Sequence, residues 1–167
     1  MKQYKITNNI IGWIVFAIAA FTYCMTVEPS ASFWDCPEFI STATKLEVGH
    51  PPGAPFFMLT GNFFTQFTGD PAKAAFCVNI MSALLSALCI LFLFWTITML
   101  TRKLWMKEDE DAPLVNKVGV LLSGLIGALA YTFTESFWFS AVEGEVYAMS
   151  SFFTAVTFWA ILKWERV

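Results

Sequence analysis

AFCVNIMSALLSALCILFLFWTITML, residues Ala75 to Leu100, decides the fold. It runs for 26 residues without Asp, Glu, Lys or Arg. About 20 apolar residues are enough for a helix to cross the hydrocarbon core of a bilayer. Asp70-Pro71 precede it as an N-cap and first-turn pair. Working outward, three more stretches have the same character: about Ile10–Val27, Val118–Phe133 and Val146–Leu162. Lys2 and Lys5 before the first stretch resemble a signal peptide's n-region, but Ile10–Val27 is longer than a typical h-region and reads as an uncleaved anchor. Bulky Tyr23 before Cys24 argues against a lipoprotein site. The third stretch carries Gly119, Ser123, Gly124, Gly127 and Ala128, small residues at a spacing that lets helices approach closely. Glycine is also simply common in membrane helices.

Composition agrees. The chain is 57% hydrophobic and 17% aromatic, richer in both than a soluble domain. A net charge of −3 implies no nucleic-acid partner. One histidine and the scattered Cys24, Cys36, Cys77 and Cys89 form neither a zinc pattern nor a disulfide framework. The predicted fold class is therefore all-α integral membrane, a single membrane domain over 1–167 with four transmembrane helices.

The basic residues orient it. Lys2, Lys5, Arg102, Lys103, Lys107, Lys117, Lys163 and Arg166 fall on one side and only Lys45 and Lys73 on the other. By the positive-inside rule both termini are cytoplasmic. The loop 28–74 and the short turn near Glu135–Glu145 then face the periplasm or exterior. Glu108-Asp109-Glu110-Asp111 reads as a solvated acidic cytoplasmic loop.

The large outer loop is predicted to hold two short helices. Asp35, Pro37 and Glu38 suit the N-cap, second and third positions of the first, a capping-box-like start running to about Leu46 and closed near Gly49. The second runs from about Pro55 to Phe67 and stops at Gly69. The chemistry-bearing residues lie in this loop and in the later turn. Asp35 and Glu38 serve either as a cap or as a general base whose pKa is raised near the membrane. His50, between glycines and prolines in Gly49-His50-Pro51-Pro52-Gly53, is placed either to cap or pack, or to hydrogen-bond a phosphate or help hold a metal. Glu143-Gly144-Glu145 can share a divalent cation or face a cationic partner, or Glu145 can merely begin the last span. Glu135 is a weaker candidate of the same kind. Trp34, Phe33, Trp138, Phe137, Phe139 and Tyr147 suit an interfacial aromatic belt, and one or two of them could stack on a sugar.

Three motifs, Phe33-Trp34-Asp35-Cys36-Pro37-Glu38-Phe39, His50-Pro51-Pro52-Gly53-Ala54-Pro55 and Ala141-Val142-Glu143-Gly144-Glu145-Val146-Tyr147-Ala148, occur in that order. In them the chain resembles the N-terminal part of a GT-C-type integral membrane glycosyltransferase. More closely it is similar to the bacterial DUF2723 family, related to the transmembrane protein 260 type of protein O-mannosyltransferase. The resemblance implies a partial GT-C fold in a bacterial inner membrane. The donor would be a mannose-like sugar on a polyprenyl phosphate. The acceptor would be a hydroxyl, of Ser or Thr in an exported protein or of a glycan or lipid. Asp35 would be the catalytic base. Glu38, His50, Glu143, Glu145, Trp34 and Tyr147 would bind substrate, with Glu143 and Glu145 the ligands of any divalent cation. The resemblance further implies many more spans than four, so the 167-residue piece alone is expected to be inactive. The competing expectation is a non-catalytic polyprenyl-lipid-binding or membrane assembly protein. A transporter is disfavoured because the first two spans carry almost no ionisable residues.

Overall fold

The computed structural model describes residues 2–51, 53–106 and 112–165. Pro52 of the His-Pro-Pro segment and the acidic run Glu108–Asp111 lie outside the described residues. Among those described are seven α-helices and no strand: α1 Lys2–Met25, α2 Cys36–Lys45, α3 Pro55–Thr65, α4 Ala74–Trp105, α5 Leu114–Thr132, α6 Glu135–Ala141 and α7 Val146–Trp164. Four of them, α1, α4, α5 and α7, are long and apolar enough to cross a membrane, as the sequence predicts. Both short helices of the 28–74 loop are present.

α4 is the pillar of the molecule. At 32 residues it rises about 48 Å, well beyond a hydrocarbon core of about 30 Å. It touches every other helix. Small residues make that possible. A Cβ at Gly12 of α1 would stand 2.6 Å from Trp95 Nε1, and one at Gly124 of α5 would stand 2.4 Å from Thr98 Cγ2. Both glycines therefore lie flat against α4, where any side chain would force the helices apart. The central core joins Val15, Ala19 and Tyr23 of α1 to Ala83, Ala87, Ile90 and Phe94 of α4 and Ala128 of α5. The buried Tyr23 hydroxyl donates to the Thr132 carbonyl at 2.9 Å, satisfying a backbone acceptor at the C-terminal end of α5.

A second core fastens the outer loop to the bundle. Cys36, Phe39, Ile40 and Ala43 from α2 and Phe57 and Met58 from α3 close over Val78 and Met81 of α4 and Met149 of α7. The loop is thus a packed layer seated on the bundle.

Local starts and stops depart from the sequence reading in several places. Asp70 accepts from the Ala72 amide at 3.0 Å, but it caps a short 3-10 turn, Pro71–Lys73, and α4 begins after that turn. Asp35 occupies the N-cap position of α2 yet makes no side-chain cap hydrogen bond. Glu38 closes no capping box, because His50 takes both its oxygens. The end of α2 does agree, with Leu46 at φ 55° as its C-cap where the helix was expected to stop. α3 stops at Thr65, before the expected Phe67, and α6 occupies what reads in sequence as a simple turn. α1 starts at Lys2, a full two turns before the apolar run.

Candidate active site

The site is built where three loops meet over the N-terminal end of α4. Buried Asn79 organises them. Its Nδ2 donates to the Glu28 carbonyl at 2.7 Å and to the Ser30 carbonyl at 2.9 Å. The Glu28 amide in turn donates to the Val142 carbonyl at 2.9 Å. One amide side chain thereby ties the strap after α1 to the turn between α6 and α7.

That turn has no room for a side chain at its centre. A Cβ on Gly144 would meet Asn79 Oδ1 at 2.9 Å, Val78 Cγ1 at 3.0 Å and Ile40 Cγ1 at 3.2 Å. With Gly144 pressed onto α4 and α2, the side chains of Glu143 and Glu145 straddle it. The two residues are only 5% and 8% exposed. The Glu145 amide donates to the Glu143 carbonyl at 2.9 Å, which tightens the turn. The Ser32 hydroxyl donates to Glu143 Oε2. Burial pushes the Glu145 carboxyl above its ordinary range, and the charges of Glu143 and then Asp35 push it further the same way.

Asp35 is exposed and lies close enough to Glu145 for its charge to act on that carboxyl. Its backbone carbonyl accepts from the Phe39 amide at 3.0 Å and opens α2. Cys36, fully buried, anchors the helix start. The carboxylate takes no part in the cap. Glu38 follows one turn later. Its Oε1 accepts from the His50 amide at 2.7 Å, and its Oε2 lies 3.1 Å from His50 Nδ1. The His50 amide and then its ring hold the Glu38 carboxyl below its ordinary range. With Nδ1–H donated to this carboxylate, Nε2 is the ring nitrogen left for a ligand.

The structure thus brings together Asp35, Glu143 and Glu145 as one group and Glu38 with His50 as another. It gives Trp34 and Tyr147 no ring partner among the described residues. Trp34 is 89% exposed and sits at φ 62°, the left-handed region that costs a bulky residue energy. Tyr147 is exposed on α7. Among the described residues no three His, Cys, Asp or Glu side chains are grouped to hold a metal ion. Sequence reasoning missed Asn79, Ser32 and Glu28. The signal for Asn79 was an amide inside an otherwise apolar run, where a polar group is costly unless it has a task. Ser32 and Glu28 carried none.

The family model described as the Protein O-mannosyl-transferase TMEM260 N-terminal domain matches residues 35–167, beginning on Asp35 itself. The Protein O-mannosyl-transferase tmem260 of Dictyostelium discoideum is 26% identical over 155 residues, 92% of this chain and 17% of that protein. The Protein O-mannosyl-transferase TMEM260 of Mus musculus is 26% identical over 153 residues, 91% of this chain and 19% of that protein. The chain therefore spans under one fifth of the length of these curated relatives. No solved structure matches it. With the match running from Asp35 through Glu143 and Glu145 to residue 167, the chain belongs to the TMEM260 N-terminal domain family.

Proposed function

We propose that this chain carries the acceptor-activating part of a GT-C-type membrane O-mannosyltransferase. It would move a mannose-like sugar from a polyprenyl phosphate to a Ser or Thr hydroxyl of an exported protein. The observation that carries the reading is the state of Asp35. Its residue is fixed by the start of α2, and its carboxylate is left uncommitted, close enough to the buried Glu145 for its charge to act there. A side chain needed for capping would be spent on it. This one can take a proton.

In the proposed reaction Asp35 accepts the proton of the acceptor hydroxyl. The oxygen attacks the anomeric carbon from the face opposite the phosphate. The bond from that carbon to the phosphate oxygen breaks, and the lipid phosphate leaves with the electron pair, so the configuration inverts. His50 Nε2, oriented through Nδ1 by Glu38, faces the leaving phosphate. Glu145, biased toward its neutral form, donates a hydrogen bond to the same group, while Glu143 is held by Ser32. Trp34 and Tyr147 are exposed rings for the sugar or the acceptor chain. The basic termini lie in the cytoplasm and the carboxylates on the opposite side, where an exported acceptor arrives.

Membranes from cells expressing the native gene, wild type or Asp35→Asn, test this with a polyprenyl-phosphate mannose donor and a Ser/Thr-rich peptide. Transfer is expected to be lost with protein level and melting temperature unchanged, because the side chain supports no cap. Undiminished transfer removes Asp35 from the reaction.

A further inference from the structure

At the opposite end of α4 from the carboxylates lies a cavity of about 560 Å³ that the proposed reaction does not use. Asn79 and Thr98 are 19 residues apart on α4, so the two places are separated by about 28 Å. Three helices bring a cation each to this cavity: Lys5 from α1, Arg102 from α4 and Lys163 from α7. No carboxylate is among its described lining residues. Two of the cations are held against rings. Lys163 Nζ stands 4.5 Å from the centre of the Trp159 ring, and the Arg102 guanidinium stands 5.7 Å from that of Tyr4. Asn8 also lines the cavity, and its Oδ1 is buried without a hydrogen-bond partner among the described residues.

We propose that this cavity binds the anionic phosphate headgroup of a membrane phospholipid in the leaflet on the side of the chain termini. Several observations favour a seated headgroup over scattered surface lysines. The cations come from three separate helices onto one hollow. Trp13, Trp95 and Trp159 wall it, and tryptophan favours the level where a headgroup meets its acyl chains. Basic pockets between membrane helices select such headgroups by charge. Among the described residues at this end, Lys2, Lys103 and Lys117 do not line the cavity, and Lys103 pairs with Glu165.

The test uses the protein expressed from its native gene and purified in a neutral detergent. Binding of dihexanoyl phosphatidylglycerol, dihexanoyl phosphatidylcholine and inorganic phosphate is followed by quenching of tryptophan fluorescence. Saturable binding is expected for phosphatidylglycerol and not for phosphatidylcholine. Lys5→Gln and Lys163→Gln each weaken it roughly fivefold, and the pair together roughly twenty-five-fold. Lys2→Gln with Lys103→Gln removes the same charge from the same end outside the cavity and leaves the affinity unchanged. An equal loss in that control reduces the effect to general surface attraction and overturns the site. Lysine-dependent binding of inorganic phosphate without binding of the lipid overturns the lipid assignment and makes the ligand a free phosphate. No saturable binding of either overturns the proposal altogether.

Discussion

Replacing Asn79 by alanine removes one amide from a helix that is otherwise apolar around it, yet the consequence is expected far along the chain. Two hydrogen bonds are lost, to the Glu28 and Ser30 carbonyls. Each contributes about 1 kcal/mol net. The fully buried side chain leaves a small cavity, worth about 1 kcal/mol more. Against this, Asn79 Oδ1 has no partner among the described residues, and its removal returns about 1 kcal/mol. The sum is a destabilisation of about 2 kcal/mol. That corresponds to a melting temperature roughly 4–8 °C lower for a chain of this size. Thermal unfolding in detergent measures it. Buried Ser82 is the matched control, one turn further along α4, with a hydroxyl that also lacks a partner. Ser82→Ala breaks no bond and is expected to be neutral or slightly stabilising. Because Asn79 also ties down the strap that brings Ser32 to Glu143, the proposed transfer is expected to fall on the order of a hundredfold, the cost of a misplacement near 1 Å. An Asn79→Ala protein within about 0.5 kcal/mol of wild type, or a Ser82→Ala protein equally damaged, would refute this account of the strap.

Three more outcomes follow from the geometry. The raised carboxyl of Glu145 means that the folded state binds its proton more tightly than the unfolded state, so its favourable contribution is full at low pH and is lost as pH rises through the raised value. Glu145→Gln should therefore melt higher than wild type at neutral pH and no differently in acid, while transfer falls. Glu38 has the opposite sign: its contact with His50 is present at neutral pH and is lost only as pH drops below the ordinary carboxylate range. The protection factor of the His50 amide should collapse at neutral pH in Glu38→Ala, and in wild type only in stronger acid. At Trp34, nearly fully exposed in the left-handed region, side-chain burial contributes little, so backbone preference decides. Trp34→Val should unfold about 1 kcal/mol more easily than Trp34→Gly, as denaturant titration would show.

The spans were legible because runs of 16 to 26 mostly apolar residues without Asp, Glu, Lys or Arg admit few other readings. So were the short helices α2 and α3, whose prolines mark their first turns. The seven-residue α6 was hidden, since so short a segment carries no readable period. The capping of α2 misled for a different reason. Asp35 and Glu38 have the spacing of a local box, but the loop folds back and His50 offers Glu38 two contacts at once. A tertiary partner outcompeted a local one, and only the latter is visible in spacing. The acid group was legible as residues and not as an assembly. Nothing in the order of the chain says that Gly144 must press on Asn79, or that Ser32 meets a carboxylate 111 positions away.

The central place of α4 has a consequence for how the protein is made. A chain that leaves the ribosome at about 5–20 residues per second releases the Asp35 loop before the helix that seats it. Asn79 follows Asp35 by 44 residues, so the loop waits about 2–9 s for its first anchor. Glu143 and Glu145 come last. Until they arrive, Cys36, Phe39 and Phe57 have only part of their eventual cover, and the Ser32 hydroxyl has no carboxylate to meet. The group of acids is therefore complete only once the start of α7 has been made, and α2 and α3 spend their first seconds without their full cover.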